Sequence, residues 1–156
     1  MEWQHLLRQN KYKQIIIESL QFLVKKKRVI VNAFVIMDNH IHLIWQIVEP
    51  NQRKDVQRDF LKFTAQKIKY DLIENHPEVL GKFSVNAKDR EYQIWERNPL
   101  TVPIWTERVL LQKLAYIHAN PVKASLAEYT SQYEYSSASF YEKGVDKFGL
   151  LTHFDC

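Results

Sequence analysis

An α+β fold of ferredoxin-like plan (β-α-β-β-α-β) is what this sequence predicts: an antiparallel sheet with helices on one face, plus a C-terminal helix. Three observations predict it. Apolar residues recur at helical spacing over 12–27, two strand-like runs follow back to back at 29–37 and 40–47, and two long helical stripes then flank one further strand-like run. The opening strand of that plan is short or missing. Only ten residues precede Lys11, with Trp3, Leu6 and Leu7 as apolar anchors.

Each element has a local cause. Ile16, Leu20 and Leu23 make one helix face, and the basic run Lys25-Lys26-Lys27-Arg28 suits a helix C-terminus. Val29 to Met37 is β-branched and short, hence a central strand. Asp38-Asn39 is a turn pair, so the next strand folds back as an antiparallel hairpin. From about Lys54 to Asn75, Val56, Phe60, Leu61, Ala65, Ile68 and Leu72 form the apolar stripe of a long amphipathic helix, which His76-Pro77 ends. Residues 79–90 read as a short helix or loop, Tyr92–Arg97 as a strand broken by Asn98-Pro99. Thr106 is a good N-cap for a final long helix through Val109, Leu110, Leu114 and Ile117 to about Asn120-Pro121. The tail from Tyr129 is rich in Tyr and Ser and lacks periodicity.

Composition narrows the class. At 156 residues the chain forms about one domain, 1–156, with a core over about 12–126 and a tail over 127–156. Hydrophobic residues at 46% and charged residues at 26% are values of a folded protein. No apolar run reaches the roughly 20 residues that span a bilayer. The start has no signal-peptide core, and Cys156 is the only cysteine, which excludes an intramolecular disulfide and a thiolate zinc site. A cytoplasmic location is the expectation. The net charge of +4 and the pI of about 9.1 favour a polyanionic partner.

Two groups of residues could do chemistry. His40 and His42 are two apart on a strand and point to one face, where two neutral imidazoles can share a divalent metal; Ile41, Leu43, Trp45 and Ile47 face the other way. The bland alternative is a pair of ordinary core or surface histidines. Tyr116 and Asn120, four apart, share a face of the final helix unless Pro121 distorts it. A phenol of pKa about 10 is a weak nucleophile that an adjacent metal would assist. The alternative is a packed tyrosine and an asparagine at a helix end. His118, two residues on from Tyr116, points nearly the opposite way and faces DNA or a partner subunit. For DNA, Lys88, Arg90, Tyr92, Trp95 and Arg97 interleave phosphate-binding charge with stacking surface, and Arg53, Lys54, Arg58 and Lys62 make a second basic group; either could be a merely solvated face.

Val35-Ile-Met-Asp-Asn-His-Ile-His-Leu-Ile44, followed some seventy residues later by Tyr116-Ile-His-Ala-Asn-Pro-Val-Lys-Ala-Ser-Leu126, resembles the single-tyrosine transposases of the HUH endonuclease superfamily, in particular the REP-associated tyrosine transposases. Ser136-Ser137 after Tyr135 fits the same pattern, and the resemblance covers roughly residues 12–141. It implies that His40, His42 and Asn120 hold Mg2+ or Mn2+ and that Tyr116 is the nucleophile. It also implies cleavage of single-stranded DNA near a hairpin through a 5′-phosphotyrosine, by a homodimer. Ser125 departs from the family, standing where a glycine is usual, and the family's first strand is the one hard to find. A DNA-binding relic that no longer cuts and a ferredoxin-like RNA-binding module are the other readings left open. Adduct formation on single-stranded DNA with and without Mn2+ separates the three.

Overall fold

The computed structural model describes residues 2–83, 94–95 and 100–155. Its order is a 3-10 helix Glu2–Arg8, α1 Asn10–Lys25, β1 Val29–Ile36, β2 Ile41–Ile47, α2 Arg53–Asn75, the short α3 Pro77–Leu80, a 3-10 turn Gly81–Phe83, α4 Glu107–Lys123, a 3-10 turn Thr130–Gln132 and α5 Ala138–Lys143. The architecture is α+β, as expected. Among the described residues the sheet is a two-stranded antiparallel hairpin, not the sheet of a full ferredoxin-like plan. The opening strand, read as short or missing, is not formed at 2–8: a 3-10 helix stands there, its Leu7 buried in the core and the Leu7 N–H donating to the Asp38 carbonyl (2.8 Å). Of the strand expected at 92–97, only Ile94 and Trp95 are described, in a bend; the rest lies outside the described residues.

Helices lie on both faces of the hairpin, α1 and α2 on one and the tyrosine-bearing α4 on the other, because both of its faces are apolar. Val29, Val31, Phe34 and Ile36 join α1 and α2 in the main core, with Ile41, Leu43, Trp45 and Ile47 packed against it. Ala33, Val35, Met37 and Ile44 meet Leu114 and Ile117 of α4 in a second core. Strict alternation would put residues 29 to 37 of odd number on one face. A register shift between Val31 and Ala33 makes Asn32 a bulge residue and reverses the parity, so 34 and 36 join 29 and 31. Asn32 is buried yet fully used. Its amide donates to the Thr152 carbonyl (3.0 Å) and accepts from Gln46 (3.0 Å), and its carbonyl accepts from the Tyr141 hydroxyl (2.7 Å).

The aperiodic tail has a structural task. Tyr135 to Ser137 lies antiparallel along the free edge of β1: the Ile36 N–H donates to the Tyr135 carbonyl (2.9 Å) and the Ser137 N–H to the Phe34 carbonyl (3.0 Å). Farther along, Leu151 bridges Val31 in parallel. The edge of β1 away from β2 is therefore closed by the chain's own C-terminal third.

Candidate active site

The histidine pair sits where β2 leaves its turn. The Met37 N–H donates to the His40 carbonyl (2.8 Å), closing a tight turn over Asp38-Asn39, and His42 lies opposite Val35 on β1. Asp38 is ion-paired with the buried Lys13 of α1 (3.0 Å), which ties the turn to the helix beneath it. The His40 and His42 rings stand edge to face with centroids 4.8 Å apart. His40 Nδ1 lies 2.6 Å from Asn39 Oδ1, an acceptor, so the proton is on Nδ1 and Nε2 keeps a free lone pair. Partial burial pushes both imidazoles toward the neutral form. For His42 the neighbouring His40 and the charge of Lys113 add to that.

α4 brings the phenol. Thr106 caps it, accepting the Val109 N–H (3.2 Å), and Leu114 and Ile117 hold the helix on the sheet face that carries His42. The Tyr116 ring meets the His42 ring edge to face at 5.6 Å, and about half of the tyrosine is exposed. Both imidazoles and the phenol therefore form one contiguous surface patch. Asn120 is half-buried one turn farther along the same face.

The helix does not stop at Asn120-Pro121. It runs through Pro121 to Lys123, because a proline near a C-terminus forfeits one backbone hydrogen bond while the last turn is closed by others. The Leu126 N–H donates to the Pro121 carbonyl (2.8 Å) and the Ser125 N–H to that of Val122 (3.0 Å), a Schellman cap. That cap requires a left-handed residue, and Ser125 supplies it at φ +60°. Ser125→Gly removes the Cβ penalty and raises stability by about 1 kcal/mol. Chemical denaturation checks this; an unchanged midpoint would contradict it.

His118 faces neither solvent nor a partner. It is buried, with its Nε2 2.8 Å from the Ser137 hydroxyl oxygen. Ser137 Oγ also accepts the Phe34 N–H (3.0 Å) and donates to the Phe34 carbonyl (3.2 Å), so His118 Nε2 carries the proton and the tyrosine helix is locked to β1 through the tail. Burial lowers the His118 pKa to about 4, an effect that Glu142 opposes. The native state thus holds it neutral, while the unfolded chain binds a proton below pH 6.5. Its contribution is complete above pH 6.5 and fades as the pH falls toward 4, by at most about 3 kcal/mol. Urea unfolding between pH 7 and 4.5 checks this. His118→Gln flattens the acid loss relative to the parent protein, and parallel curves would remove the assignment.

The expected nucleic-acid residues fall in different places. Arg53, Lys54 and Lys62 are exposed; Arg53 bonds Gln57 (3.1 Å), and Arg58 is engaged by Asp55 (3.2 Å) and Asp59 (3.1 Å). They begin α2, at the end of β2 away from the histidines. Trp95 is half-buried against the main core and donates its indole N–H to Thr64 (2.9 Å). Lys88, Arg90, Tyr92 and Arg97 lie outside the described residues. Sequence reasoning missed Lys113, exposed on α4 with its charge felt at His42; its spacing of three from Tyr116 was the available signal. A cleft of about 730 Å³ runs beside β2 and residues 100–104, and neither histidine nor Tyr116 lines it.

Among the described residues no group of three His, Cys, Asp or Glu side chains could hold a metal, and no helix is long and apolar enough to cross a membrane. A metal site here would rest on His40, His42 and Asn120. Two neutral imidazoles with a carbonyl oxygen fit a divalent ion, and this nitrogen-rich set suits Mn2+ better than Mg2+.

Comparison with curated proteins finds a significant relative. A Haemophilus influenzae protein assigned as a REP-associated tyrosine transposase is 32% identical over 108 residues, 67% of this chain and 56% of the relative. The match spans little more than half of that protein's length. No family model matches the chain. No solved structure gives a significant match.

Proposed function

We propose that this chain, a REP-associated tyrosine transposase-like protein, is a metal-dependent single-stranded DNA endonuclease and strand transferase acting through Tyr116. The observation that carries the proposal is the Tyr116 ring 5.6 Å from His42, itself 4.8 Å from His40. In the reaction the phenol oxygen attacks phosphorus and loses its proton, the bond from phosphorus to the 3′ oxygen breaks, and that oxygen takes up a proton as a free 3′-hydroxyl. The product is a 5′-phosphotyrosine. It keeps the energy of the phosphodiester, so attack by another 3′-hydroxyl reverses the step at a new junction.

His40 and His42 would hold the ion with Asn120 as the oxygen donor, and Asn39 orients His40 for that role. The bound ion would polarise the phosphate oxygen under attack and steady the developing charge. Because these donors are neutral, they leave the ion's charge undiminished. The half-exposed position of Tyr116, outside the cleft, suits a polymer substrate that lies across a surface. The likeness to the transposases supports a hairpin-bearing DNA strand as substrate, Mg2+ or Mn2+ as the ion, and a second copy as partner.

The test is incubation with a labelled hairpin-bearing single strand with and without Mn2+, read by denaturing electrophoresis. A labelled band at the mass of protein plus DNA, only with the metal, is the expected result. Binding with no such band would leave a DNA-binding relic in its place.

A further inference from the structure

We propose that Lys113 and Lys123 are substrate-positioning residues that hold the phosphate backbone of the DNA strand across Tyr116. This rests on the reading of Tyr116 given above. At 100° per residue, Lys113, Tyr116, Asn120 and Lys123 fall within an arc of about 80° on α4. The two lysines are spaced about 15 Å along the helix axis, one on either side of the phenol. Lys123 leans back over the site, its Nζ 5.7 Å from the centre of the Tyr116 ring. Lys113 lies one turn before Tyr116 on the same face of the helix.

Neither lysine is neutralised. Both are exposed, and neither makes an ion pair among the described residues. The acidic residue of the adjoining turn, Asp38, is taken by Lys13. Two ammonium groups with no ion pair among the described residues, on the helix face that meets the histidine pair, oppose the binding of a divalent cation there. A bound polyanion reverses the sign of that arrangement, because its phosphates attract both the lysines and the ion. The electrostatics of the patch are those of a site completed by phosphate.

The experiment uses the full chain carrying Tyr116→Phe, in EDTA, so that neither cleavage nor metal enters the measurement. Affinity for a hairpin-bearing single-stranded oligonucleotide is followed by fluorescence anisotropy over a salt series. Each of Lys113→Met and Lys123→Met lowers the slope of log affinity against log salt by about 0.7, and the double variant by about 1.4. Lys123→Arg keeps the parent slope, which a loss of folding or of mere bulk would not explain. A double variant with the parent slope overturns the proposal, as does a parent that binds no oligonucleotide. Adduct formation by the natural sequence is scored separately. Its absence with the slope change intact sinks the nuclease reading alone; its presence with an unchanged slope sinks the lysine assignment alone.

Discussion

Tyr116→Phe abolishes the covalent protein–DNA adduct while the protein still binds the same oligonucleotide. The substitution deletes one oxygen and keeps the ring. That ring is about half exposed, and its contacts, edge to face with His42 at 5.6 Å and beneath the Lys123 ammonium at 5.7 Å, are ones that phenylalanine preserves. Among the described residues the Tyr116 hydroxyl has no hydrogen-bond partner, so its removal strands no buried donor or acceptor. Stability therefore changes by no more than about 0.5 kcal/mol. Chemistry responds very differently. Without the nucleophilic oxygen no phosphotyrosine can form, and adduct formation falls by at least about 10⁴-fold, to the limit of detection. Denaturing electrophoresis reads the adduct, and anisotropy reads binding. An adduct of undiminished yield in the Phe variant would assign the nucleophile to another side chain.

The parts of this site that were legible in the sequence are those fixed by local pattern. The alternation through His40-Ile-His42 and the turn pair Asp38-Asn39 set the hairpin and the common face of the imidazoles. The Thr106 cap and the stripe through Leu114 and Ile117 set the helix that carries Tyr116. What stayed hidden depends on contacts between distant residues. Tyr135 to Ser137 pairs with β1 across about 100 residues of chain, and nothing in its own periodicity announces an edge strand. The bulge at Asn32 had one sign, a polar residue inside an apolar run, but its consequence appears only when both faces of the strand have partners. His118 shows the same limit. Helical geometry turned it away from Tyr116 correctly; only the return of the tail, placing Ser137 beside it, shows that the opposite side is interior. Pro121 misled for an opposite reason. Its local tendency to end a helix was overridden by a C-terminal cap that begins after it.

His40→Ala removes metal-dependent cleavage, with a loss of adduct yield of about 100-fold or more in Mn2+. The two histidines carry most of the candidate donor set, since the remaining donor is a neutral amide and no acidic side chain joins them in a metal-binding group among the described residues. A site with so few ligands has no reserve. Losing one imidazole leaves a nitrogen and an oxygen, too few to retain a divalent ion against water. The fold tolerates the change better than the chemistry does. His40 is half-buried, lies just before β2, and among the described residues its side chain bonds only its neighbour Asn39, whereas its carbonyl keeps the turn closed in the alanine variant. Direct titration of Mn2+ by its electron paramagnetic resonance signal, with the oligonucleotide present, separates binding from catalysis: free Mn2+ persists with His40→Ala and with His42→Ala, and is depleted by the parent. Asn39→Ala supplies the graded case, because it leaves both ligands in place and releases only the hydrogen bond that fixes the His40 tautomer, so Mn2+ affinity falls by about 10-fold. Unchanged Mn2+ binding in either histidine variant would mean that the paired imidazoles are packing residues and that Tyr116 works, if it works at all, without them.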